Sequence, residues 1–167
     1  MQKIILVDAA KCTGCRTCEQ VCSATKEGVV NPYKARVQIV RFEDIVFEVP
    51  VFCQQCVDAP CKSVCPVTAI TRNEDTGIVN VNYDRCIGCK MCIIACPFGA
   101  MGFDPSTRKV YKCDQCNGDP MCVKYCDTKA IEYVNVTDAN SKKRVQGAQK
   151  ISELTEKDAR KAALLAA

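Results

Sequence analysis

Sixteen cysteines fall into four quartets with none left over, and no other feature restricts the fold of this 167-residue chain so tightly. The quartets are Cys12, Cys15, Cys18, Cys22; Cys53, Cys56, Cys61, Cys65; Cys86, Cys89, Cys92, Cys96; and Cys113, Cys116, Cys122, Cys126. In the first and third the intervals hold two, two and three residues. The other two widen only the central interval, to residues 57–60 and 117–121. Three thiolates on so tight a loop can meet one metal group, whereas a cysteine four positions further on sits a helical turn away. That fourth thiolate is free to serve a second group, so the quartets must work in pairs.

The two-two-three spacing is the run that holds a [4Fe-4S] cubane, and Pro97 follows Cys96 as it does in such runs. Three other readings compete with it. A disulfide scaffold belongs to a secreted chain, and the first eight residues offer only a short apolar run without the h-region or cleavage site of a secretory leader. Zinc ribbons place roughly a dozen or more residues between two CxxC pairs and seldom do without histidine across a whole set of sites, yet this chain has no His. Catalytic thiols stand singly or in pairs beside a base, and no such base accompanies these. The missing histidine also excludes Rieske centres. Four all-cysteine [4Fe-4S] clusters are therefore expected, with all sixteen thiolates as cofactor-binding residues.

The rest of the composition describes a slight body around them. Apolar residues make up 48%, but cysteine supplies a fifth of those, and there are ten aromatics and no tryptophan. A core so thin needs metal to complete it, so the chain without its clusters is expected to be largely unfolded. The formal charge of +4 does not indicate a nucleic-acid partner. Sixteen thiolates outweigh four oxidised cubanes of about 2+ each, which leaves the loaded chain near −4. The one dense basic run, Lys142, Lys143 and Arg144, reads as a solvated linker. No apolar stretch approaches the length of a membrane span; a cytoplasmic location is expected.

Short β-rich segments precede the quartets at residues 4–7, 49–52, 78–81 and 110–112, and others follow at 69–72 and 130–134. Hairpin turns between these strands are marked by Asp75, Thr76 and Gly77 and by residues 104–107 around Pro105. The units read as βαβ-like pieces, giving an α+β fold. Thirty residues separate Cys22 from Cys53, against 20 and 16 in the later gaps. Apolar alternation from Arg36 to Phe42, a break at Glu43 and Asp44, and a second run over 45–49 predict an inserted β-hairpin, which either covers a cluster or docks a partner. A polar linker is expected from residue 135, and a helix capped by Ser152 from there toward the end. That arm would pack on its own domain or on another subunit, including a further copy of this chain.

The strings NPYKAR at Asn31, PVFCQQCVDAPCKSVCPVTAI at Pro50, YDRCIGCKMCIIACPFGA at Tyr83 and KCDQCNGDPMCVKYC at Lys112 resemble the four-cluster ferredoxin-type subunits of molybdenum and tungsten oxidoreductases. The likeness runs nearly to Val134 and covers the iron-sulfur subunits of dimethyl-sulfoxide reductase, formate dehydrogenase and hydrogenase-linked complexes. The short form is most similar to the small electron-transfer subunit of tungsten aldehyde oxidoreductase. The resemblance implies two interlocked two-cluster halves within residues 1–134: an inner half over about 50–100, an outer half from about 1–30 with 101–134, and the hairpin at about 31–49.

It also implies the ligand sets. One cluster takes Cys53, Cys56, Cys61 and Cys96, and its mate takes Cys86, Cys89, Cys92 and Cys65. In the outer half Cys12, Cys15 and Cys18 pair with Cys126, and Cys113, Cys116 and Cys122 with Cys22. Ser23 and Asp127 depart from the pattern by standing where proline follows the fourth cysteine of the inner quartets. Sites filled by four thiolates leave no iron open to substrate, so the expected role is a wire rather than an enzyme, with Lys90 and Lys112 placed to raise nearby potentials. The implied partners are a large tungsten- or molybdenum-pterin subunit and a flavin (FAD) subunit or other carrier. A freely diffusing polyferredoxin, or the relay of a formate dehydrogenase or hydrogenase complex, is the alternative.

Overall fold

The computed structural model describes residues 2–45, 47–145 and 148. Along the chain run β1 (Lys3–Val7), α1 (Thr17–Glu27), β2 (Val37–Phe42), β3 (Phe47–Phe52), α2 (Pro60–Ser63), β4 (Ile70–Arg72), β5 (Val79–Val81), α3 (Met91–Ile94), β6 (Met101–Asp104), β7 (Lys109–Lys112), α4 (Met121–Lys124) and β8 (Ile131–Asn135). Helices α1 to α4 each begin inside a quartet. The strands pair as β2 with β3, β4 with β5, β6 with β7, and β8 with β1. The strand after each quartet thus joins the strand before the next, and the last closes on the first. Every ladder is antiparallel, so the hairpins expected around Gly77 and Pro105 are present, and the β-α-β order of each unit involves no parallel pairing. The connections at residues 73–78 and 105–108 are too short for a parallel crossover, which takes about a dozen residues or more.

Proline accompanies two of the three short helices. Pro66 and Pro97 follow Cys65 and Cys96 and disfavour a helical conformation in those residues, so α2 and α3 stop after four residues. Ser23 stands at the matching place after Cys22 and lets α1 run on for 11 residues, until Gly28 ends it at φ +71°. Its hydroxyl donates to the Gln20 carbonyl at 2.9 Å and accepts the Asn31 amide at 3.0 Å, anchoring the entry to the hairpin. Asp127 forms the same tight exit without a proline: Thr68, Gly99 and Lys129, each three residues past a fourth cysteine, have φ of 50°, 60° and 52°.

The expected hairpin is present as β2 and β3, but its second strand continues unbroken into the segment expected to introduce the second quartet. Val37 and Ile39 face inward, and Phe42 at the tip is half exposed. Two cores divide the packing. Ile5, Ala35, Val37, Ile39, Phe52 and Ile131 gather round cysteines of the first and fourth quartets; Ala59, Ala69, Ile70, Val79, Met101 and Val110 gather round those of the second and third. The cores do not divide at residues 50 and 100: Phe52 packs with the outer set, and Met101 and Val110 with the inner, because β6 follows the third quartet and carries β7 with it.

The polar linker expected from residue 135 is corrected too, since residues 136–145 are helical. Tertiary contact overrides composition here. Ala139 is buried, Lys142 Nζ reaches Glu132, and Lys143 Nζ donates to the Val7 carbonyl at 3.2 Å. Two members of the basic run therefore bind back to the domain. The arm expected from Ser152 lies outside the described residues, among which no helix is long and apolar enough to cross a membrane.

Candidate functional site

One backbone feature recurs in all four cysteine loops. The residue before the second cysteine is left-handed: Gly14 at φ 66°, Gln55 at 50°, Gly88 at 68° and Gln115 at 53°. That bend turns the loop sharply enough for successive thiols to face inward. At Gly88 the space is also closed, because a Cβ there would meet the Arg108 carbonyl oxygen at 2.2 Å. Gln55 offsets its left-handed backbone with a buried amide that bonds across the molecule, whereas Gln115 Oε1 accepts only the Tyr133 hydroxyl at 3.5 Å and its Nε2 has no partner among the described residues.

The thiols meet in sets that cross the quartets. Cys53, Cys56 and Cys61 line one cavity with Cys96, and Cys86, Cys89 and Cys92 line another with Cys65. Cys12, Cys15 and Cys18 line a third with Cys126, under Ile39 and Pro50 of the hairpin. Cys22, Cys113, Cys116 and Cys18 all lie close enough to bear on the buried Cys122. Cys92 also feels Cys61 of the neighbouring set, Cys113 feels Cys53, and Cys122 feels Cys18. Thiols of different sets thus lie close together at Cys92 and Cys61, at Cys113 and Cys53, and at Cys122 and Cys18. Cys89 and Cys15 are exposed.

Burial governs the free thiols. It pushes Cys18, with Glu19 adding to the effect, and Cys113 up to about 12, and Cys92 to about 11. Cys22, Cys61 and Cys122 rise for the same leading reason. Exposed Cys15 is instead lowered, mainly by the Thr17 hydroxyl. Buried thiols are neutral until a metal group displaces their protons. Backbone amides already point at several sulfurs: Arg36 N to Cys22 Sγ at 3.3 Å, Ala69 N to Cys65 Sγ at 3.2 Å and Gln115 N to Cys113 Sγ at 3.4 Å. These donors stabilise thiolate, not thiol, and suit cluster ligands.

Lys90 and Lys112, alike in sequence, differ in structure. Lys90 is exposed, with Nζ 4.0 Å from the centre of the Phe103 ring. Lys112 is 3% exposed and lines the cavity of Cys53, Cys56, Cys61 and Cys96. A buried ammonium bonded only to neutral acceptors needs an anion nearby, and negatively charged clusters ligated by four thiolates meet that need. The residues present fit such groups. Sequence reasoning missed Gln55, Gln115 and Glu19. Gln55 Nε2 donates to the Cys113 carbonyl at 2.8 Å, and Glu19 Oε1 accepts the Ile39 amide at 2.6 Å. The available signal was glutamine at the place where the other two loops carry glycine.

A family model described as a 4Fe-4S dicluster domain matches residues 45–136, and one described as a 4Fe-4S binding domain matches residues 3–24. The chain is 36% identical to the polyferredoxin-like subunit of aliphatic sulfonate oxidoreductase from Pyrococcus furiosus, over 81% of this chain and 78% of that one. It is 37% identical to electron transport protein HydN of Escherichia coli strain K12, covering 81% and 89% of the two chains. Formate hydrogenlyase subunit 2 of the same organism is 35% identical, with 83% and 84% covered.

Proposed function

Because this chain belongs to the 4Fe-4S dicluster domain family, we propose that it is the non-catalytic electron-transfer subunit of an oxidoreductase complex, holding four [4Fe-4S] clusters in a row. The observation that supports the proposal is that three cavities are each lined by three thiols of one quartet and the last thiol of another. Cys53, Cys56, Cys61 and Cys96 would hold one cluster, and Cys86, Cys89, Cys92 and Cys65 a second. Cys113, Cys116, Cys122 and Cys22 would hold the third, and Cys12, Cys15, Cys18 and Cys126 the fourth. Each cluster, when bound, would supply a one-electron carrier.

The protein's own work is spacing and insulation. Loops that share ligands fix the distance between neighbouring sites, and Ile39 and Pro50 cover one end site while Cys15 and Cys89 mark the two places nearest solvent. We assign the catalytic partner to the tungsten- or molybdenum-pterin class, with aldehyde oxidoreductase the reading that the sequence resemblance favours, and a flavin (FAD) subunit or other carrier at the far end. The location is cytoplasmic. A bound relay is supported by the hairpin, which a freely diffusing polyferredoxin does not need.

Native mass spectrometry with metal analysis of the purified protein tests this. Sixteen irons per chain, together with a large subunit carrying tungsten or molybdenum, is the expected result. A lone chain with iron and sulfide would establish the diffusing carrier instead, and absence of iron would end both readings.

A further inference from the structure

Lys112 closes β7 one residue before Cys113 and is among the most buried polar residues of the chain, at 3% exposure. Its Nζ donates to the Val79 carbonyl, to the Cys113 carbonyl at 3.0 Å and to Gln55 Oε1 at 3.4 Å. All three acceptors are neutral. Among the described residues no ion pair includes Lys112. A buried ammonium so placed is strongly unfavourable unless negative charge lies close by.

Two groups of thiols flank it. Lys112 lines the cavity of Cys53, Cys56, Cys61 and Cys96, and it is bonded to the backbone of Cys113 in the adjoining set. Gln55, between Cys53 and Cys56, ties the same two sites: its Nε2 donates to the Cys113 carbonyl at 2.8 Å and its Oε1 accepts the Val79 amide at 2.9 Å. Lys112 and Gln55 thus link the cavity of Cys53, Cys56, Cys61 and Cys96 to the backbone of Cys113.

On the four-cluster reading given above, we infer that Lys112 is the shared counter-cation of the two central sites, holding the midpoint potentials of both above the values they would have beside a neutral side chain. Reduction adds negative charge to a site, and a fixed cation in a poorly screened interior favours the reduced form. Gln55 positions the ammonium between the sites. The two sites beside it are thereby made easier to reduce than their ligands alone would make them, while Lys112 does not line the cavities of Cys12, Cys15, Cys18 and Cys126 or of Cys86, Cys89, Cys92 and Cys65.

The test uses the full cluster-loaded chain, with Lys112→Met, Lys112→Gln and Lys112→Arg, reading iron and sulfide content and four midpoint potentials by EPR-monitored redox titration. In the neutral variants two of the four potentials should fall and two should stay, with Lys112→Arg restoring the pair. Four clusters with unmoved potentials, or with all four shifted alike, would overturn the assignment. If both neutral variants lose clusters, loss confined to the two central sites with Lys112→Arg intact supports it, and loss in Lys112→Arg as well overturns it. A native chain without iron and sulfide refutes the four-cluster reading itself, before any variant is made.

Discussion

Cys22 and Cys126 carry the sharpest consequences of any single residues. Each ends its quartet, each is separated by about a helical turn from the three thiols before it, and each meets the other quartet's set instead. Cys22 is buried, and its sulfur accepts the Arg36 amide. Cys126 lies beside Thr128 Oγ1 at 3.7 Å. If the sets are drawn correctly, Cys22→Ser removes or converts the cluster of Cys113, Cys116 and Cys122 and leaves that of Cys12, Cys15 and Cys18 in place, while Cys126→Ser does the reverse. EPR spectra of the reduced variants, compared with iron content, separate the two cases. Loss of the first quartet's own cluster in Cys22→Ser would mean that each quartet closes on itself.

At the scale of elements, α1 and its neighbours show what could be read in advance and what could not. Lys26 in the last turn of α1 donates to Asp114 Oδ2 at 2.7 Å, and Arg36 joins the same carboxylate at 3.9 Å while also reaching Glu27. Burial alone would raise Asp114, but the Lys26 hydrogen bond and charge, the Cys116 amide and Arg36 together hold it below the usual carboxylate range. A carboxylate whose folded value is depressed stabilises the fold above its unfolded value and loses that contribution as pH falls through the folded one. Asp114→Asn should therefore destabilise the protein by about 1.5–3 kcal/mol near neutrality and progressively less below about pH 4. Guanidinium-induced loss of the visible cluster absorbance, measured against pH, checks it; a constant difference at every pH would contradict it. None of this network was legible in the sequence, where residues 26, 36 and 114 stand far apart. The cysteine quartets and most strands were legible, because ligand spacing and β-rich runs are local signals, whereas the crossing of quartets was implied by the resemblance alone. The helix over 136–145 was hidden by polar composition: its support comes from Glu132 and Val7, contacts that no local window contains.

Over the whole molecule, metal and fold are expected to be inseparable. The largest fully buried apolar side chains are Phe52, Ile70 and Ile131, and both cores are filled largely by cysteines and small residues. Four two-stranded ribbons share no larger sheet, and a ribbon of that kind is marginal in water by itself. Removing the clusters would leave the buried thiols facing cavities, with Lys112 an uncompensated cation between two of them. Small domains in this position use metal binding as folding free energy. Chelation with oxidation should accordingly abolish the cooperative unfolding transition in circular dichroism, and anaerobic restoration of iron and sulfide should return it. A metal-free chain that kept a cooperative native-like transition would show that the strand closure of β8 on β1 and the two thin cores suffice without the clusters.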